Sequence, residues 1–527
     1  TIRVNNIVLS LDDDISILKK KVSKKLKISI DEIKNFKIIK ESLDARNKDN
    51  IRLTYAIELE HKNEEKLVER LHDKDVKIDT TKYEPDVQEG NEKLNNRPVV
   101  VGFGPAGIFA ALMLAEKGYK PLVIERGEDV DKRSETVDRF WTEGKLNLES
   151  NVQFGEGGAG AFSDGKLTTR IKDERVSLIL DKLIEAGADE SIAYLNHPHI
   201  GTDKFLVLDQ TIREKIISMG GEIRFNTRLD DFIVRNGKLE GICLSSGEEI
   251  QTEALILAIG NGTGDTYRKL GQYLRLENKP FALGVRVETL QSFINEKQYK
   301  NIEDTSNLPN AEYHIACRTS NGKGAYSFCM CPGGYVVPSE SKKNTIVTNG
   351  MSYSKRDGIN ANSAIVVQVD TNDYGNDYLA GLKFQEDLEQ KTCKLGKGKA
   401  PGETVARFLN MNSRNLVIPT YQRGICEMDI HDVFSDAINA SLEDAMNYME
   451  KIFPGFIDLG SYMTAAETRS SSPVRIVRNI TTLESDEVSG VYPSGEGAGY
   501  AGGIVSSAID GIKCAERIMM KYHPYAL

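Results

Sequence analysis

The chain has 527 residues, of which 40% are hydrophobic and 28% charged, with 45 glycines, 7 cysteines and a net charge of −10. That length suggests about three domains. The apolar content excludes a disordered chain and the aperiodic glycines exclude collagen. No apolar run reaches the ~20 residues of a membrane span, and the acidic balance argues against a general nucleic-acid binder.

Residues 1–80 read as a small α/β module. Ile15, Leu18, Val22 and Leu26 recur at helical spacing behind Asp12, Asp13 and Asp14, and Ile51, Leu53, Tyr55, Ile57 and Leu59 alternate as in a half-buried strand. Lys19, Lys20, Lys21, Lys24 and Lys25 read as the solvated face of that helix. The module carries no catalytic constellation and offers a surface for a protein partner or for self-association. Residues 81–97 are polar and read as a linker.

After the linker, the apolar run from Pro98 to Val101 leads into Gly102-Phe103-Gly104-Pro105-Ala106-Gly107, an alanine- and leucine-rich helix, and a second apolar run ending at Glu125 and Arg126. Each part has a physical role in holding a dinucleotide. Gly102 permits a tight turn, Gly104 lets a pyrophosphate approach the backbone, and Gly107 lets helix and strand pack closely. The helix N-terminus at Pro105 and Ala106 offers free N–H groups to phosphates, and Glu125 can accept the ribose hydroxyls.

Two later segments favour FAD over NAD. Ala254 to Ile259 is an apolar strand breaking at Gly260, and Val491 to Pro493 is a short strand leading to Gly495 and Glu496, then Gly502, Gly503 and a helix from Ile504. No second fingerprint of this kind follows a strand, so a separate nicotinamide domain is not expected. The densest glycine cluster, Phe154 to Leu167, places Gly157, Gly158, Ala159, Ser163, Asp164, Gly165 and Lys166 as further cofactor contacts.

The phrases FGEGGAGAFSDGKL, HPHIGTDKF, PFALGVRVE, SFCMCPGGYVVPS, AAETRSSSPVRI and YPSGEGAGYAGGIVSSAIDG resemble the bacterial family of uncharacterised FAD-dependent dehydrogenases, which are glutathione-reductase-type flavoproteins. The resemblance runs from residue 98 to the end. Ser42-Leu43-Asp44-Ala45-Arg46 carries a weaker likeness in the N-terminal module. It implies an α/β fold: a Rossmann-like FAD-binding domain with a parallel sheet, split by an inserted α+β substrate domain. The corresponding boundaries are 98–272 and 456–527 for the FAD-binding domain and 273–455 for the substrate domain. Bound FAD would be held at Gly102, Gly104, Gly107, Glu125, Gly495 and Glu496. Glu496 stands where aspartate is usual in broader flavoproteins.

Flavin chemistry needs a group over the ring and one managed proton. Glu467 is a candidate for proton transfer and Arg469 for clamping a carboxylate or carbonyl, with an ion pair between the two as the structural alternative. Tyr500 is a candidate proton donor beside the flavin edge. Cys329 and Cys331 flank Met330 and raise the idea of a dithiol next to the ring, although buried free cysteines are ordinary core residues. His197, His199 and Asp203 lack a clear further ligand, so no metal is expected.

The expected activity is an FAD-dependent oxidoreductase acting on a small organic substrate, with NAD(P)H as a transient donor. The scattered cysteines and the absence of a leader pattern fit a cytoplasmic protein without membrane association. The alternatives are a flavin-dependent RNA-modifying enzyme, disfavoured by the acidic balance, and a non-catalytic flavin-binding scaffold or sensor.

Overall fold

The computed structural model describes residues 1–44, 46–47, 50–79, 87–300, 302 and 305–526. Ala45 of the Ser42–Arg46 phrase and residues 81–86 of the expected linker lie outside the described residues. The chain divides into two compact units.

The first unit comprises residues 1–85, 172–199 and 295–311. Its four-stranded sheet has the order Lys34–Asp44, Arg52–Glu60, Ile2–Ser10, Val76–Ile78. Leu18, Val22 and Leu26 form the buried stripe of helix Leu18–Leu26 and pack with Ile57 and Leu59 of the predicted strand. Ile15, by contrast, lies in a short 3-10 turn and is exposed. The unit is wider than the expected 1–80 module, because it also takes in helix Arg175–Glu185 and residues 295–311. Segments this remote in sequence leave no mark in local periodicity.

The second unit holds two large sheets. The first is five-stranded and wholly parallel, in the order Val491–Pro493, Leu255–Leu257, Val99–Val101, Leu122–Ile124, Glu222–Arg224. The first four strands are buried throughout, which explains why three of them read as continuous Val, Ile and Leu runs rather than alternating patterns, Val491–Pro493 being Val-Tyr-Pro. Helix Pro105–Glu116 is buried on nearly every side, and the C-terminal helix Ile504–Lys521 packs against it. A Cβ on Gly511 would lie 2.1 Å from Ala106 O, so this crossing requires glycine. The described part of the expected linker is held along that C-terminal helix. Gly90 N donates to Met519 O at 2.8 Å and Glu92 N to Lys521 O at 3.1 Å.

The other sheet has seven strands, in the order Ala316–Arg318, Gly324–Cys331, Asn360–Val369, Phe281–Leu290, Tyr462–Glu467, Ala400–Thr404, Ile425–Glu427. It corrects one expected boundary. Strand Tyr462–Glu467, placed by sequence in the FAD-binding part after residue 455, pairs with Phe281–Leu290 of the inserted segment. Both sheets belong to the same compact unit, so the expected division at 272 and 455 does not separate two bodies.

Candidate functional site

The parallel strands all deliver their C-terminal ends to one cavity of about 380 Å³, the usual place for a ligand in such a sheet. Gly102 leaves the central strand with φ +99°, and a Cβ there would sit 2.0 Å from Ala258 O. Gly104 caps helix Pro105–Glu116, whose first-turn N–H groups have no partner within the helix. One glycine cluster approaches this turn by backbone contact, and the C-terminal one approaches the break after strand Leu255–Leu257. A Cβ on Gly158 would lie 2.9 Å from Gly104 Cα, and one on Gly497 would lie 2.3 Å from Gly260 O.

Three acids line the cavity. Glu125 ends its strand and accepts from Phe103 N at 3.2 Å and Gly127 N at 2.8 Å. A carboxylate has about four acceptor positions, so capacity remains for two ligand hydroxyls. Glu496 accepts from Asn261 Nδ2 at 2.6 Å. Burial pushes its carboxyl up to about 7, against the opposing pull of Lys279 and Asn261. Glu467 lies between Arg286 Nη1 at 3.3 Å and Thr348 Oγ1 at 3.0 Å. Burial raises this carboxyl to about 7 as well, while Arg286 and Thr348 act in the opposite direction.

Among the residues named from sequence, the cavity is lined by Gly102, Gly104, Pro105, Ala106, Glu125, Arg126, Gly158, Ala159, Ser163, Lys166, Gly260, Glu467, Arg469, Glu496, Gly502, Gly503 and Ile504. Arg126 is held by Glu149 and Asp265 and lies 4.0 Å over the Phe154 ring. Arg469 does not pair with Glu467. It forms a two-pronged pair with Glu389, at 3.0 and 3.2 Å, and donates to Ser341 Oγ at 3.0 Å.

The others stand behind the wall. Gly107 is needed for packing, since a Cβ would lie 1.9 Å from Gly102 O. Gly157 and Gly165 abut Asp209 and the Ile200 carbonyl in the same way. Gly495 N donates to Asp510 Oδ2 at 2.8 Å. Asp164 is fully buried and accepts from Ser352, Arg356 and Lys166, so it positions Lys166 rather than facing the cavity.

Tyr500 also departs from expectation. Its hydroxyl donates to Ile476 O at 2.8 Å and accepts from Arg478 N at 3.1 Å, and its ring lies 3.8 Å beneath Arg478. Asp203 accepts from Ser354 N and Oγ at 2.8 and 2.7 Å. Asn261 and Thr348 are wall residues not assigned to the site from sequence, Cys329 of the Cys-Met-Cys phrase joins them on the wall, and Arg286 is the buried cation behind them. Arg286 is not singled out from sequence, although a charge within the apolar phrase PFALGVRVE is a signal that could have found it.

A family model described as FAD-dependent protein, C-terminal domain-like, matches residues 280–470, and a domain of unknown function, DUF8436, matches residues 1–60. An uncharacterized protein of Clostridium beijerinckii is 48% identical over 529 residues, covering 99% of each chain. The chain belongs to this family of FAD-dependent proteins. Its cofactor is FAD. Protein FixC of Escherichia coli strain K12 is 27% identical over 206 residues, 38% of this chain and 45% of FixC. Two solved structures resemble this flavoprotein at low TM-scores. L-proline dehydrogenase from P. horikoshii is 13% identical with a TM-score of 0.35, over 81% of this chain and 94% of that one. CtdE in complex with FAD is 11% identical with a TM-score of 0.31, over 81% and 83%.

The cavity suits FAD on its own geometry. An added Cβ at Gly260 or Gly502 meets nothing within 4 Å, so both glycines border open space at the wall. A helix N-terminus, an acid with acceptor capacity left and a glycine cradle are the groups that phosphate, ribose and a close-lying ring require. Among the described residues no helix is long and apolar enough to cross a membrane.

Proposed function

We propose that this FAD-dependent protein is an oxidoreductase that passes a hydride between a nicotinamide donor and a small organic substrate. The observation that supports this reading is Glu467, a buried carboxyl on the cavity wall that burial brings to about 7. Bound FAD would be held by Gly102, Gly104, Glu125 and Glu496 and would supply two-electron chemistry at its ring.

The protein's own residues manage the proton and the water. Glu467 Oε2 accepts from Thr348 and Oε1 faces Arg286, so the carboxyl is fixed in orientation. Near neutral pH it is present in both protonation states, the condition for giving or taking one proton efficiently. Arg469, paired with Glu389, contributes a partly neutralised cation to the wall and orients a polar substrate group. Lys166 adds a second cation, anchored by Asp164 at 2.5 Å.

Anaerobic mixing of the yellow holoprotein with NADH and with NADPH tests the reading. Bleaching by one of them, followed by recovery with an organic acceptor, is the expected result. A flavin that neither nucleotide bleaches overturns it. Glu467→Gln should slow the substrate half-reaction by about 10²–10⁴-fold while FAD content stays at the wild-type level.

A further inference from the structure

Cys329 and Cys331 end strand Gly324–Cys331, where pairing with Asn360–Val369 slips. Phe328 opposes Ala364 and Cys331 opposes Asn362, so three steps on one strand match two on the other. This is a bulge, and Cys329 occupies it with φ +47°, an uncommon conformation for a residue with a side chain. The core reading of these cysteines suits Cys331, which is fully buried. It does not suit Cys329, which lines the cavity.

The surroundings are those of a reactive thiol pair. The Cys331 thiol donates to the Cys329 backbone carbonyl at 3.3 Å, which folds the two cysteines into one tight turn. Arg286 Nη2 lies 3.3 Å from Cys331 Sγ and donates to Cys329 O at 2.5 Å. Lys166 Nζ donates to Met330 O within the same turn. The charged and titratable groups facing the pair are therefore Arg286, Lys166, Asp164, Glu467, Glu496 and the buried Tyr313.

We propose that Cys329 and Cys331 are a redox-active dithiol that reduces a low-molecular-weight disulfide entering the cavity. This names a substrate class for the hydride chemistry above and rests on that reading for the returning electrons. The Cys331 thiol holds Cys329 below the ordinary thiol range, helped against burial by Arg286 and Lys166. Burial and the neighbouring Cys329 push Cys331 up. At neutral pH the arrangement is a thiolate on the wall beside a protonated partner.

The chemistry balances without a further reagent. Cys329 thiolate attacks one sulfur of RSSR, the R-sulfur bond to its twin breaks, a mixed disulfide forms and RS⁻ leaves. Cys331 then attacks Cys329 Sγ, the mixed bond breaks, and the second sulfur leaves with the Cys331 proton as RSH. The two cysteine sulfurs have lost two electrons and RSSR has gained them. Reopening the Cys329–Cys331 bond needs two electrons and one proton, which the hydride chemistry proposed above supplies.

The test uses reduced holoprotein, freed of reductant and exposed to hydroxyethyl disulfide. Remaining thiols are then alkylated and the peptides mapped by mass. The peptide holding Cys329 and Cys331 should lose two hydrogens, escape alkylation and carry no adduct. Cys331→Ser should stop at a mixed disulfide on Cys329. Cys329→Ser should cut reaction at this peptide at least tenfold, while Cys426→Ser leaves it unchanged. A wild-type peptide that keeps an alkylated or adducted Cys329 overturns the proposal.

Iodoacetamide labelling of Cys329 in the unsubstituted reduced chain, located by peptide fragmentation, gives a second readout, and a rate that climbs only above the ordinary thiol range also overturns the proposal. NADH or NADPH bleaching is measured separately. Bleaching without thiol exchange refutes the dithiol alone, whereas exchange without bleaching refutes the hydride reading and leaves the dithiol standing.

Discussion

Arg286 Nη1 stands 3.3 Å from Glu467 Oε1, and both side chains are buried. The same guanidinium donates from Nε to Asn362 Oδ1 at 2.8 Å and from Nη2 to Cys329 O. One cation on strand Phe281–Leu290 thus ties the acid of its neighbour Tyr462–Glu467 to the thiol turn two strands away in the opposite direction. Removing one partner of a buried pair leaves the other charge uncompensated, at a cost of about 3–5 kcal/mol. Arg286→Met should therefore destabilise the protein by that order in urea unfolding. With burial still raising it and Arg286 gone, the Glu467 carboxyl should titrate higher than in the parent chain.

Glu125 offers a separate measure of the cofactor site. Its carboxylate is braced by Phe103 N and Gly127 N and ends the second strand of the glycine turn. A hydrogen bond to a charged group contributes about 1.5–3 kcal/mol, equivalent to roughly 10–100-fold in affinity. Glu125→Ala should weaken FAD binding to the apoprotein by that factor, read by quenching of flavin fluorescence. An unchanged affinity would remove Glu125 from the ribose role.

Arg469 and Glu389 can be separated by a double-mutant cycle. Both are buried, and Arg469→Ala alone leaves Glu389 with an unpaired charge. Thermal unfolding should show a loss of about 3–5 kcal/mol for the single change and substantial recovery in Arg469→Ala with Glu389→Ala. If the single variant keeps its stability while KM rises, substrate contact outweighs the structural pair.

Glu340 predicts a pH dependence of stability. It accepts from Tyr421 Oη at 2.6 Å and from Val347 N at 3.2 Å, and burial raises its carboxyl from 4.5 to about 7. The folded state therefore binds this proton more tightly than the unfolded state. The associated stability is fully present below about pH 4.5 and is lost as pH rises through 7. Glu340→Gln should shrink the difference in unfolding free energy between pH 5 and pH 8 by about 1–3 kcal/mol. A difference equal to that of the parent chain would mean that Glu340 ionises freely.

The order of residues by itself determined the cofactor turn. Gly102, Gly104, Gly107 and Glu125 fall within one strand–turn–helix–strand unit, so local sterics and a short span place the fingerprint. The apolar runs around Val99 and Leu255 likewise declared buried parallel strands, because both of their faces are covered. Only the tertiary structure decided which groups share the wall.

Glu467 meets Arg286 across a separation of 181 residues, and Arg469 meets Glu389 rather than the neighbour suggested by sequence. Tyr500 sits in the right glycine-rich turn, yet its hydroxyl goes to Ile476 O. The strand bulge brings Cys329 to the cavity while Cys331 remains within the core. Such outcomes depend on sheet order and register. Those are fixed by side-chain packing between strands far apart in the chain, and no local pattern encodes them.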